Sequence, residues 1–283
     1  MSDRHAGEID RGERFPFGEN WRRFLAVVDD ERIARAEASL KELFGIERLD
    51  GRRFLDAGSG SGLFSLAARR LGADVTSIDY DPASVACTRT LRDRYRPGDP
   101  AWEIAEGSVL DPEFMDALPR FDVVYSWGVL HHTGAMAQGL EAVGRRVAGA
   151  GLLCVAIYND QGRMSHIWRA LKRTYNRLPG PLRTPFAVAV MGPRELRALA
   201  VATLSGRPRS YFRNIRSYAR TSVRGMSYWH DLVDWIGGYP FEVAKPEEIF
   251  EFYKARGFTL TRLKTWGAGL GCNEFVFTRR ALD

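Results

Sequence analysis

Cysteine is scarce in this chain: Cys87, Cys154 and Cys272 are odd in number, far apart and without a CxxC pair. That pattern argues against a disulfide framework and a cysteine-based metal centre, and it fits reduced thiols in a cytoplasmic setting. No run of about 18 apolar residues occurs, so neither a transmembrane helix nor integral membrane association is expected. The opening MSDRHAGEIDRGERF is polar and charged, unlike a secretory signal. What remains, 283 residues at 45% hydrophobic and 27% charged, is ordinary for a globular protein and long enough for one large domain with an insertion.

A glycine is also missing where one common motif needs it. In RRFLDAGSGSGLFSLAARRLG (52–72) the apolar pair Phe54–Leu55 runs into Asp56, and a glycine-rich turn then opens a helical pattern. A strand feeding a helix through such a turn holds a nucleotide-like ligand. The dinucleotide fingerprint GxGxxG would place its third glycine at 63, which is Leu63; the glycines stand at 58, 60 and 62 instead.

Strand and helix signals alternate beyond the turn. ADVTSIDYD (73–81) sets Val75 and Ile78 among small polar residues and reaches Asp79, 23 positions past Asp56. An acid at that place can accept hydrogen bonds from both hydroxyls of a ribose. Asp81 followed by Pro82 predicts a helix start. AWEIAEGSVLD reads as a third strand, FDVVYSWGVLHH (121–132) as a fourth, 136–148 as a helix, and GLLCVAIYN (151–159) as a fifth strand, apolar nearly throughout. The alternation predicts an α/β, doubly wound, mostly parallel sheet with its ligand at the carboxyl ends of the strands.

LDAGSGSG, the acid ending the second strand, EGSVLD and FDVVYSWGVLHH, in that order, resemble the class I S-adenosylmethionine-dependent methyltransferases, nearest the small-molecule methylases of the quinone-biosynthesis kind. The resemblance covers about residues 52–159 and resumes in KPEEIFEFYKARGF, TLTRLKTW and NEFVFTRR. It implies a Rossmann-like sheet of seven strands whose last two form a hairpin. It also implies S-adenosyl-L-methionine as cofactor; this molecule has no phosphate, so GxGxG is adequate. Carried over position by position, Asp56, Ala57, Gly58, Ser59, Gly60 and Gly62 would surround the methionine part. Asp79 would take the ribose; Tyr80, Ser108 and Val109 would flank the adenine; Ser126 and Trp127 would lie under the methionine–ribose region. An N-terminal helix often covers the cofactor in related enzymes, which makes residues 1–50 a helical lid with Trp21, in FPFGENWRRFL, at the cofactor.

Methyl transfer from a sulfonium asks the protein mainly to position the nucleophile and exclude water. A base is needed only where the nucleophile carries a proton. His131 and His132 are candidates for that base, with a loop-shaping role as the plain alternative. No ligand cluster accompanies them, so no metal is expected. Tyr158, just after the fifth strand, Asp231 in SYWHDLVDWIGGYPFEVA (227–244) and Glu274 in the turn WGAGLGCNE are further catalytic candidates. The aromatics of 227–244 suit a small-substrate pocket wall or plain core.

Acids almost vanish from 163–224, where fourteen Lys and Arg face Glu195 alone: that stretch carries +13 and the rest of the chain −7, within a total of +6. Residues 160–245 form a helical basic insertion, a substrate cap, in a core made of 51–159 and 246–283. Pro179, Pro181, Pro185, Pro193 and Pro208 are expected to divide it into short helices. Ile167, Trp168, Leu171, Tyr175 and Leu178 form an apolar stripe, with Arg169, Lys172, Arg173 and Arg177 on other faces. Arg209, Arg213, Arg216, Arg220 and Arg224 share one basic face. The asymmetry points to a small anionic acceptor, a nucleic acid, an acidic membrane surface, an acidic subunit face, or to solvation alone. Against nucleic acid, the fourth strand lacks an Asn/Asp-Pro-Pro-aromatic motif and no Pro-Cys pair occurs. The expected function is methyl transfer to an oxygen, nitrogen or carbon of a small anionic metabolite. An RNA or other nucleic-acid methyltransferase and a non-catalytic cofactor-binding scaffold are the alternatives.

Overall fold

Seven strands form a single sheet in the computed structural model, which describes residues 2–221, 228–267 and 271–281. They are β1 (Arg53–Ala57), β2 (Asp74–Asp79), β3 (Trp102–Glu106), β4 (Phe121–Trp127), β5 (Val147–Tyr158), β6 (Phe258–Lys264) and β7 (Cys272–Arg279), in the order β3-β2-β1-β4-β5-β7-β6. β1 to β5 run parallel, and β7 lies antiparallel between β5 and β6. The order reverses between β1 and β4, so a crevice opens at their carboxyl ends.

Helices cover both faces. α1 (Ser2–Asp10), α2 (Phe17–Leu25) and α3 (Asp30–Phe44) precede the sheet; α4 (Leu63–Arg70), α5 (Pro82–Tyr95), α6 (Pro112–Ala117) and α7 (Met136–Arg145) each follow a strand. Then come α8 (Arg163–Arg177), α9 (Gly180–Leu204), α10 (Pro208–Thr221), α11 (Tyr228–Gly237) and α12 (Pro246–Lys254). Consecutive strand residues point to opposite faces. Phe54 therefore packs with Ile33, Leu40, Leu66 and Trp102, while Leu55 packs with Val143, Ile249, Tyr253 and Phe277. A smaller cluster of Phe15, Tyr175, Ala187, Met191, Leu232 and Ile236 binds the helices after β5 to the N-terminal segment. No helix among the described residues is long and apolar enough to cross a membrane.

Several boundaries differ from the sequence reading. β4 stops at Trp127, because Gly128, at φ +74°, turns the chain into a 3-10 turn over Leu130–His132. The helix expected to reach 148 ends at Arg145, and β5 begins at Val147. The prolines do not all break helices: α9 runs for 25 residues through Pro185 and Pro193. An interior proline costs about 3 kcal/mol in a helix. Between these two, Ala187 and Met191 are buried against Tyr175, Leu232 and Ile236, and that packing offsets the loss. On α8 the expected faces hold at Trp168, Leu171 and Tyr175 and at the exposed Arg173 and Arg177, with two exceptions: Ile167 is 49% exposed, and Lys172 is fully buried.

Candidate functional site

A cavity of about 580 Å³ occupies the crevice at the carboxyl ends of the strands. The glycine turn after β1 forms its floor. The backbone amides of Gly58 and Ser59 donate to Ile78 O at 2.8 and 3.1 Å, and Gly60 N donates to Asp79 Oδ2 at 2.9 Å. Gly58 and Gly60 have φ of +91° and +55°. A Cβ on Gly58 would sit 2.4 Å from Val129, and one on Gly60 would sit 2.9 Å from the Trp21 indole, so the close approach requires glycine at both.

Asp79 also accepts Asp81 N at 2.9 Å. Burial pushes its carboxyl up to about 7, against the pull of the two amides. Asp56 receives the Ser65 hydroxyl at 2.5 Å, and burial raises its carboxyl to about 6. The folded-state pKa of Asp79 lies above the unfolded value of about 3.9. Its contribution to stability is therefore full at low pH and declines as pH rises from about 4 to about 7. Asp79→Asn should flatten the fall in Tm of the ligand-free chain across that window. Scanning fluorimetry from pH 4 to 8 checks this; a variant whose Tm falls as steeply as wild type contradicts it.

The N-terminal helices close one side. The Tyr80 hydroxyl donates to Glu8 Oε1 at 3.3 Å, and Arg14, 2.7 Å from Glu8 Oε2, lies 4.9 Å over the Tyr80 ring. Asp81 caps α5 at Ala83 N and accepts Gly18 N at 2.7 Å, fixing the start of α2, which brings Trp21 to Gly60.

Among the cofactor candidates, Trp21, Asp56, Gly58, Ser59, Gly60, Asp79, Tyr80, Ser108, Val109 and Trp127 line the cavity. Three others have structural placements. Ser126 is fully buried and donates its hydroxyl to Ala57 O at 2.9 Å, because it and Trp127 point to opposite faces of β4. Ala57 is fully buried, and Gly62, at φ +79°, starts α4 against Thr88.

The catalytic candidates divide as well. His131, His132 and Tyr158 are brought together: the His131 ring lies 3.9 Å from Tyr158 and 4.4 Å from His132. His131 is fully buried and its Nδ1 accepts Tyr158 N at 3.4 Å, so in the neutral ring the proton sits on Nε2. His132 lines the cavity, and its Nδ1 stands 2.7 Å from Pro240 O. A carbonyl only accepts, so Nδ1 carries the proton and the neutral ring keeps its lone pair on Nε2. Glu274 lines the cavity from β7, with Lys264 Nζ 3.8 Å away. The side chain of Asp231 lies outside the described residues.

Phe15, Arg14 and the Pro240 carbonyl join the site without a sequence signal of their own, and Trp235 realises the pocket wall expected of 227–244. Phe15 and Trp235 complete an aromatic wall with Phe17 and Tyr158, and Arg14 donates to His132 O at 3.0 Å. The density of aromatics in 227–244 was the signal for Trp235. A backbone acceptor such as Pro240 O leaves none. The arginine face of α10 stands elsewhere: Arg209, Phe212, Arg213 and Arg216 flank a separate surface groove, while Tyr218 reaches the cavity. Arg224 and the side chain of Arg220 lie outside the described residues.

A family model described as a methyltransferase domain matches residues 55–153. A ubiquinone biosynthesis O-methyltransferase of Azorhizobium caulinodans is 32% identical over 146 residues, 48% of this chain and 53% of that protein. The enzyme of the same name from Methylocella silvestris is 31% identical over 183 residues, 62% of this chain and 66% of that protein. The chain thus spans about half, and at most about two thirds, of the length of these relatives. Among solved structures, a magnesium protoporphyrin IX methyltransferase from Synechocystis PCC 6803, with bound S-adenosylhomocysteine, superposes with a TM-score of 0.54 at 14% identity, covering 92% of this chain and 93% of that one. That likeness is one of fold.

Proposed function

Because this chain belongs to the class I S-adenosylmethionine-dependent methyltransferases, we propose that it transfers a methyl group from S-adenosylmethionine to an oxygen, nitrogen or carbon atom of a small-molecule acceptor in the cytoplasm. The observation that carries this reading is one continuous cavity lined by two sets of residues of different chemistry: the glycine turn with Asp79 and Tyr80, and His132 with Phe17, Tyr158 and Trp235.

The residues present suit the cofactor. Gly58, Ser59 and Gly60 line the cavity with backbone, the two glycines giving way to Val129 and the Trp21 indole packed on them; Asp79 offers a carboxylate to paired hydroxyls, and Tyr80, Ser108 and Val109 line the same cavity. When bound, the cofactor supplies a methyl on a sulfonium already activated for displacement. The chain must then orient the acceptor and keep water out, which the aromatic wall does. His132 Nε2 accepts the acceptor's proton where there is one, and Nδ1–H on Pro240 O holds the ring in the required tautomer.

A negatively charged acceptor is the finer part of the proposal. Arg262 and Lys264 stand on the cavity wall, each paired with an acid of the same wall, Glu42 and Glu274, and the arginines of α10 flank a different groove, so the proposal rests on the basic balance of residues 163–224 alone. Incubating the full chain with methyl-labelled cofactor and small-molecule-containing bacterial extract, before and after nuclease digestion, tests the class of acceptor. Label should enter a low-mass fraction and be unaffected by nuclease. Label in a nuclease-sensitive polymer would overturn the small-molecule reading.

A further inference from the structure

The helix that follows β5 carries three polar side chains along one stripe, Lys172 and Asn176 buried and Arg169 at its exposed end, and they converge on one stretch of backbone. From α8, Arg169 Nε donates to Phe241 O at 3.0 Å, Lys172 Nζ donates to Trp235 O, and Asn176 Nδ2 donates to Gly237 O at 2.6 Å. Residues 169, 172 and 176 are spaced by three and four, so they form one stripe along the helix. Their acceptors are the last carbonyls of α11 and the segment just after it, which runs to Phe241 without regular structure. Such carbonyls have no partner within their own helix.

The same segment is held from its other side by the His131–His132 turn and by Phe15. Pro240 O receives His132 Nδ1 at 2.7 Å, Glu242 N donates to His131 O at 2.9 Å, and Tyr239 O accepts Phe15 N at 2.9 Å. The Lys172 ammonium also lies 4.2 Å from the centre of the Trp235 ring, 4.9 Å from Phe241 and 6.0 Å from Tyr158. Trp235 and Tyr158 are cavity walls. A cation beside aromatic faces is attracted to them, more strongly when removed from water, and Lys172 is fully buried.

From this arrangement we infer that Lys172, with Arg169 and Asn176, is a positioning set for methyl transfer. It fixes the 235–241 segment, and through Pro240 O it sets the tautomer and direction of the His132 ring; through the cation–ring contacts it sets the spacing of the aromatic wall. These side chains act through others, and none of the three lines the cavity. The relevance of His132 to the acceptor rests on the function proposed above; the positioning itself does not.

The test is nitrogen NMR of the His132 imidazole in the full chain, assigned by difference with His132→Gln, for wild type, Lys172→Met and Asn176→Ala. Lys172→Met keeps the apolar stem and removes the donor. Wild type should show the Nδ1–H tautomer. In Lys172→Met the tautomer ratio should fall about fivefold, the change that losing roughly one neutral hydrogen bond would bring. Asn176→Ala should shift it in the same direction and covers the case in which Lys172→Met does not fold. S-adenosylhomocysteine affinity, measured by calorimetry, should stay within about twofold in both, because the glycine turn is untouched. An unchanged His132 tautomer in the folded variants would overturn the inference. Failure of wild type to bind S-adenosylhomocysteine would instead strike the proposed function and leave the tautomer result readable.

Discussion

Asp79→Ala should weaken S-adenosylhomocysteine binding by about 30-fold or more, measured by calorimetry on the folded variant. The carboxyl sits at the end of β2 with its two oxygens on Gly60 N and Asp81 N, facing the cavity. A ribose offers two hydroxyl donors to such a group, and hydrogen bonds to a charged acceptor are worth about 1.5–3 kcal/mol each before water compensates. The alanine variant loses both, and it also frees the amide that shapes the turn at Gly60. Because burial raises this carboxyl to about 7, wild-type affinity should strengthen as pH rises towards 7 and level off above it, since hydroxyl donors favour the ionised form. Near-normal affinity in the variant would place the ribose elsewhere.

His132→Ala should lower kcat about 10²- to 10⁴-fold for an acceptor whose attacking atom carries a proton. S-adenosylhomocysteine affinity should barely change. The acidic limb of the pH–rate profile, which reports protonation of the base, should disappear with it. His131→Ala should act differently. Its ring is fully buried against Tyr158 and its Nδ1 takes a backbone amide, so the change should reduce Tm and leave the limb in place. Equal rates in wild type, His131→Ala and His132→Ala would make both histidines structural and move attention to Tyr158 and Glu274, which line the same cavity.

The features legible in the sequence are those where geometry constrains residue type. Gly58 and Gly60 are written as glycine because a side chain would strike Val129 or Trp21. Asp79 is legible as an acid ending the strand after the glycine turn, where it lines the cavity, and Asp81–Pro82 because a helix start needs a cap and tolerates proline. Alternation of strand and helix gives the parallel α/β sheet and the family resemblance gives the terminal hairpin, whereas the order β3-β2-β1-β4-β5-β7-β6 is seen only in the structure. Other features leave no such trace. Lys172 has the same letters around it as a solvated helical lysine, and only the arrival of α11 makes its environment aromatic and buried. Pro240 acts through its carbonyl, which every residue has. Ser126 follows a correct strand assignment to the wrong face, since neighbours on a strand point opposite ways. Of the five arginines expected on one face, Arg209, Arg213 and Arg216 stand together, but periodicity does not say which way a helix turns that face; it flanks its own groove.

The central claim is that the cavity at the end of β1 and β2 holds S-adenosylmethionine and not a dinucleotide. Calorimetric titration of the full chain with S-adenosylhomocysteine and with NAD+, alone and in competition, tests it most directly. One S-adenosylhomocysteine per chain should bind, with affinity lowered by Asp79→Ala, and NAD+ should neither bind tightly nor displace it, because Leu63 stands where a third glycine would admit a pyrophosphate. NAD+ binding tighter than S-adenosylhomocysteine, through the same Asp79, would contradict the account.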